Sequence, residues 1–175
     1  EAACARNPVA SDKAMTAKGK LWGLGLGPGD PDLITLKALK ILQSADVVAY
    51  PAPLEGESLA RSIAAPHLTG EQTEYPIRIP MVADRGPAQD VYDIAAKDFG
   101  THLNAGRTVA VLCEGDPFFY GSFMYLFQRM SDGHDVGVVP GISSVMACAA
   151  EAGMPLGERA DVITVLPASL SEEEL

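Results

Sequence analysis

Three short turns hold the residue types best suited to gripping a small ligand. They are Gly25-Leu26-Gly27-Pro28-Gly29-Asp30, Glu114-Gly115-Asp116-Pro117 and Pro140-Gly141-Ile142-Ser143-Ser144. Glycine lets backbone approach a ligand closely, proline stiffens the corner, and Asp or Ser beside them supplies acceptors and hydroxyls. At Ser143-Ser144 the hydroxyls would stand at a helix start, beside amides with no intrahelical partner. The same residues also suit purely local roles: Asp30 and Asp116 in turns or caps, Ser143 and Ser144 as caps. The familiar nucleotide loops are absent. The first turn is not GxGxxG, because Asp30 occupies the third glycine place, and no GK[ST] follows it. Asp46 precedes its strand, so no acidic residue is placed to hold a dinucleotide ribose. Dinucleotide hydride transfer and phosphate transfer both lose support.

Each turn follows a segment that reads as a strand. Leu21 to Leu26 is short and apolar, and Leu33, Leu36, Leu39, Ile41 and Leu42 then recur at helical spacing up to Ser44-Ala45. Either Asp30, with Pro31 at the first helical position, or Thr35 can cap that helix. Asp46 to Tyr50 reads as a second strand, stopped by Pro51 and Pro53. The opening is therefore a βαβ unit with a parallel sheet. Further on, the pattern predicts a short helix over 57–65, an edge strand at best over 75–80 and a helix over 89–103. A central strand over 108–113 and an aromatic-rich helix over 119–130 follow. The remaining expectations are a strand over 136–139, a small-residue helix over 143–152 and a strand over 162–166. The alternation is α/β, and in an open parallel sheet the loops beyond the strands' carboxyl ends gather where ligands bind.

Residues 1–18 carry no folding pattern and read as a disordered extension, leaving 19–156 as an N-terminal α/β domain. Ser171 followed by Glu174 is a capping-box pair that announces a helix, so 157–175 reads as the start of a truncated C-terminal domain. The 175 residues carry 13 Lys+Arg against 23 Asp+Glu, a net charge of −10, which argues against a nucleic-acid partner. The apolar runs are too short to span a membrane. With no signal-peptide pattern, the expected setting is the cytoplasm. Cys4, Cys113 and Cys148 are odd in number and lack ligand spacing, and His67, His102 and His134 stand far apart. No protein-bound metal is expected. Among the aromatics from Phe118 to Phe127, Tyr120 and Tyr125 have polar ends fit for a cavity or an interface. Of the arginines Arg78, Arg85 and Arg129, the loop residue Arg85 is the one placed to meet substrate carboxylates.

The three turns, with Tyr120-Gly121 and Gly153-Met154-Pro155-Leu156, resemble those of the tetrapyrrole (corrin/porphyrin) methyltransferase family. The longer runs Glu114 to Tyr125, Val139 to Ala147 and Val165 to Ala168 are similar to the branch that methylates C20 of precorrin-2. The resemblance covers about residues 20–175. It implies a two-domain α/β fold and a homodimer, with S-adenosylmethionine held between the domains. The cofactor contacts would be Pro28, Gly115, Asp116, Pro117, Tyr120, Ser143 and Ser144. The substrate, precorrin-2, would lie toward Gly29, Asp30 and Arg85 and would leave as precorrin-3A in cobalamin biosynthesis. Tyr120, Asp84 and Glu114 are the candidate general bases. Two alternatives stand beside this: a cobalt-containing ring (cobalt-factor II) as substrate, or a non-catalytic ligand-binding or dimerisation module.

Overall fold

Burial alternates along the central strand so as to need cover on both faces. Val109, Val111 and Cys113 pack into one cluster with Phe99, Leu103, Phe123 and Leu126. Ala110 and Leu112 pack into another with Leu42, Ala60, Ile63 and Ala64. The period of two sends successive side chains to opposite faces, and all five of these residues are buried. The structure, a computed structural model, describes residues 18–80, 86–167 and 170–171, with side chains 86–88 excepted. Residues 1–17 of the expected extension, the candidates Asp84 and Arg85, and Glu174 lie outside the described residues.

The elements run β1 (Lys20–Gly25), α1 (Leu36–Ser44), β2 (Val47–Pro53), α2 (Leu59–Ala64) and β3 (Thr73–Ile79). They continue with α3 (Gly86–Asn104), β4 (Val109–Cys113), α4 (Phe123–Met130), β5 (Asp135–Val139) and α5 (Ser144–Ala152). Among the described residues the strands form one parallel sheet in the order β3-β2-β4-β1-β5. Helices α1 and α2 cover one face and α3 and α4 the other, the α/β layering the sequence implies. Gly23 in β1 makes room for this. A Cβ there would lie 2.5 Å from the Phe123 ring, so the strand's gap is filled by the aromatic helix. The register pairs Gly25 with Cys113 and Leu24 with Val139. The carboxyl ends of β4, β1 and β5 therefore stand side by side, and the three turns leave from one edge.

The two candidate caps at the first helix are both used. Asp30 accepts from the Asp32 amide at 2.9 Å and caps a 3-10 turn, Pro31–Leu33, while Thr35 accepts from the Ala38 amide at 3.2 Å and caps α1.

Three expectations are corrected. Strand β2 runs through Pro51 and Pro53 instead of stopping before them. The Asp46 carbonyl accepts from the Thr73 amide and the Val47 amide donates to Thr108 O, so even positions of β2 face β3 and odd positions face β4, and the β4 pairing ends at Ala49. The missing N–H groups of Pro51 and Pro53 thus fall where there is no neighbour to donate to. Helix α4 starts at Phe123 and not at Phe119. Asp116 captures the Phe118 amide with its carboxylate and the Phe119 amide with its carbonyl, and that local turn competes with helix. Residues 162–166 form no strand; Val162 is 89% exposed. A strand needs a paired neighbour, and this segment has none among the described residues.

Candidate active site

The three turns touch through backbone. Gly27 and Gly115 exchange amide–carbonyl bonds at 2.8 and 3.3 Å, and the Leu26 amide donates to Cys113 O. A Cβ on Gly25 would lie 2.4 Å from Gly141 N, and one on Gly141 would lie 2.0 Å from Gly115 O. No side chain fits at either position, so glycine here is a packing requirement. Gly115 also takes φ +63°, in the left-handed region. Asp116 completes the junction, with Oδ1 accepting from the Phe118 amide at 2.8 Å and Oδ2 from the Gly141 amide at 3.0 Å. Its side chain ties the second turn to the third, and both oxygens are in use.

Where the turns meet there is a hollow of about 210 Å³ lined by Pro28, Glu114, Gly115, Asp116, Ser143 and Ser144, with Leu59 and Phe119. Five of the seven expected cofactor residues thus share one wall. Ser143 occupies the N-cap position of α5, yet its side chain makes no capping hydrogen bond. Ser143 and Ser144 line the hollow, and the first amides of a helix have no intrahelical partner. That donor set suits a polar, anionic or hydroxyl-bearing part of a cofactor.

The other two expected contacts stand apart. Pro117 is buried beneath the turn and lines no hollow that the other five line. Tyr120 lines an adjoining hollow of about 270 Å³ with Glu114, Phe119 and Gly121. Tyr120 adopts φ +54°, which is unusual for an aromatic residue, and is 65% exposed. A backbone held in that region is the kind of strain that surrounding structure must enforce. Glu114 is exposed and lines both hollows. Gly29 is exposed. Asp30 lines a larger hollow of about 540 Å³ with Pro28, Ser144 and the side of α5 that carries Cys148.

Several sequence candidates are structural. Arg129 pairs with Asp93 and donates to Tyr125 O, fastening α4 to α3. Tyr125 packs on Tyr92 at 5.3 Å. Burial pushes the Cys113 thiol far above its ordinary value, so it is an inert core residue. No cluster of three or more His, Cys, Asp or Glu able to hold a metal occurs among the described residues. Nor is any described helix long and apolar enough to cross a membrane. Leu59 and Phe119 are lining residues that sequence reasoning missed. The available signal for Leu59 was an apolar residue at a helix start, just after the Ser58 cap.

Residues 20–175 match the model of the tetrapyrrole (corrin/porphyrin) methylases. The chain belongs to this family. It is 43% identical over 169 residues to cobalamin biosynthesis protein CobIJ of Mycobacterium tuberculosis, covering 92% of this chain and 33% of that protein. It is 42% identical over 165 residues to the precorrin-2 C(20)-methyltransferase of a Sinorhizobium species, covering 90% and 67%. The chain thus spans about a third of the first relative's length. Among solved structures it is similar to the cobalt precorrin-4 methyltransferase CbiF, with TM-score 0.60 and 30% identity, covering 85% of this chain and 61% of that one. It is also similar to uroporphyrin-III C-methyltransferase of Thermus thermophilus complexed with S-adenosylhomocysteine. There the TM-score is 0.54 and the identity 28%, covering 81% and 51%.

Proposed function

We propose that this chain carries the cofactor edge of an S-adenosylmethionine-dependent C-methyltransferase. On this reading it transfers a methyl group to C20 of precorrin-2, giving precorrin-3A in cobalamin biosynthesis. The observation that carries the reading is the hollow where Pro28, Gly115, Asp116, Ser143 and Ser144 meet, in a chain 42% identical to a protein of that activity. S-adenosylmethionine, when bound, supplies a sulfonium methyl, an electrophile that an electron-rich meso carbon takes without a protein nucleophile. The chain's share is alignment, exclusion of water and acceptance of the proton that C20 releases.

Glu114 suits proton acceptance because it lines the joint between the cofactor hollow and its neighbour; Tyr120 and Asp84 are the other candidates. Asp116 positions the turns, and Gly29, Asp30 and Arg85 contact the substrate from the first turn and the loop after β3. The same resemblance supports an N-terminal domain over 19–156, a second domain beginning at 157, a homodimer and a cytoplasmic setting.

Calorimetric titration of S-adenosylhomocysteine tests the reading. The proteins to use are this chain and a form extended to the length of the Sinorhizobium relative. Binding by the extended form is expected. Binding by neither leaves the non-catalytic module as the better account. Turnover of metal-free precorrin-2 against the cobalt-containing ring then separates the two substrate forms.

A further inference from the structure

Pro28 and Leu59 both line the cofactor hollow, yet the segments that carry them are held differently. Leu59 opens α2, which Ser58 fixes: its hydroxyl donates to Pro51 O at 2.5 Å and accepts from the Arg61 amide at 3.2 Å. Ala60, Ile63 and Ala64 of α2 are buried in the core. Pro28 lies in the stretch between Gly27, which pairs with Gly115, and Thr35, which caps α1. That stretch has little support of its own. A Cβ on Gly29 would meet nothing within 4 Å, and Gly29, Asp30 and Asp32 are exposed. The Asp32, Leu33 and Ile34 amides bond back within the stretch, to Asp30 and Pro31.

Among the described residues, one hydrogen bond reaches positions 28–34 from another element. The chain leaves α2 through a 3-10 turn, Ala65–His67, and there His67 Nε2 lies 3.3 Å from Pro31 O. A carbonyl only accepts, so Nε2 carries the proton and donates it. His67 is half-buried, and Leu68 beside it packs into the cluster that holds Leu42, Ala60 and Ile63. The donor therefore rides on an anchored element. Pro31 O also accepts from the Ile34 amide at 3.3 Å. Leu33, in the same turn, packs on Gly27, where a Cβ would lie 3.2 Å from Leu33 Cβ. The tie at His67 thus bears on a turn that abuts the glycine junction and leads back to Pro28.

We propose that His67 is a positioning residue for the cofactor hollow: its bond to Pro31 O holds the first turn so that Pro28 keeps its place in the lining. This rests on the methyltransferase reading and adds to it a residue from outside the three turns. His67 is not itself a lining residue of the hollow, so it acts through the turn. The helical unit that supplies Leu59 from its start sets Pro28 from its end. A ligand-facing segment with few contacts must be ordered on binding, at an entropic cost, unless another element orders it beforehand. The bond from His67 supplies that order before the cofactor arrives, as a supporting contact does for any preorganised site.

The test follows backbone hydrogen exchange of this chain by mass spectrometry. In parallel, calorimetry measures S-adenosylhomocysteine affinity in the form extended to the length of the Sinorhizobium relative. His67→Phe keeps a ring without the donor, His67→Asn stops short of the Nε2 position, and His67→Gln keeps an N–H near it. Circular dichroism verifies folding, and His67→Asn gives the reading where His67→Phe does not fold. In these two, exchange over 29–34 is expected to quicken while 114–116 keep the parent rate, and S-adenosylhomocysteine affinity to fall about fivefold. His67→Gln should recover most of both. Unchanged exchange over 29–34 overturns the tie. Faster exchange with parent affinity makes the bond merely structural; that overturns the positioning role and leaves the methyltransferase reading standing. An extended parent that binds no S-adenosylhomocysteine removes the reading and the role together.

Discussion

The two walls of the site are built from different materials. On the β1, β4 and β5 side the turns are joined backbone to backbone, with Gly25, Gly115 and Gly141 in contact and one carboxylate, Asp116, as the tie. On the β2 side the wall is made of side chains: two prolines, Leu59, Ile79 and an arginine resting on carbonyls. A wall of backbone has no side chain to exchange and holds one geometry. A wall of side chains can change shape and charge without disturbing the strand beneath it. The first fixes the shape of the hollow between the turns, and the second leaves its lining free to vary.

The sharpest way to break this contrast is to put a methyl group into the backbone wall. Gly141→Ala sets a Cβ 2.0 Å from Gly115 O, with backbone on both sides and nothing flexible to yield. We expect a loss of about 3 kcal/mol by urea unfolding, together with loss of S-adenosylhomocysteine binding by calorimetry. Asp116→Asn is next. The amide nitrogen can face only an N–H at one of the two places the carboxylate now accepts, so one charged bond is lost. The expected cost is about 1.5–3 kcal/mol, and the Gly141 amide should exchange hydrogen faster, as measured by mass spectrometry.

The side-chain wall should respond less. Pro51→Ala removes no hydrogen bond that the sheet uses and adds unfolded-state freedom. The expected destabilisation is about 0.4–1 kcal/mol, with cofactor affinity unchanged. A loss as large as that of Gly141→Ala would erase the distinction between the walls.

The smallest effect concerns pH where α2 meets β3. Bonds from Arg61 and Tyr50 hold the Glu74 carboxyl below its ordinary value. A carboxyl depressed in the folded state contributes stability that is present above its unfolded pKa and lost as pH falls through the folded one. Glu74→Gln should therefore be less stable than the parent at neutral pH, with the gap closing as the solution is acidified below the ordinary carboxylate range. Thermal unfolding across that range measures it. The pair is partly exposed, with side-chain exposures of 42% and 35%, so the gap should be small.

Much of the fold was legible because local pattern and tertiary role agree in it. The βαβ opening, the central strand β4 and the helices α3 and α5 follow, to within three residues at their ends, from apolar period and punctuation alone. Prolines misled the reading at β2, since their cost depends on which side of the strand has a neighbour, and only the pairing of β2 with β3 and β4 reveals that side. Phe119 to Ser122 has helical composition but gives its amides to Asp116 or turns through the left-handed Tyr120. At the site, the glycine turns stood out as unusual residues. Leu59 and Phe119 did not, because a single apolar residue looks the same in a core and beside a ligand.

Residue types and their order determined the alternation of strands and helices, the family and the three turns that gather at one sheet edge. Those are consequences of local stereochemistry and of the period at which apolar side chains recur. Tertiary structure alone decided that Gly25 and Gly141 exclude side chains because the three turns touch there, while Gly115 is held in the left-handed region. It also decided that Asp116 serves backbone amides with both oxygens, and that Arg61 pairs with Glu74. The distances responsible join positions 25, 115 and 141, or 61 and 74, and no pattern along the chain encodes which distant groups will meet.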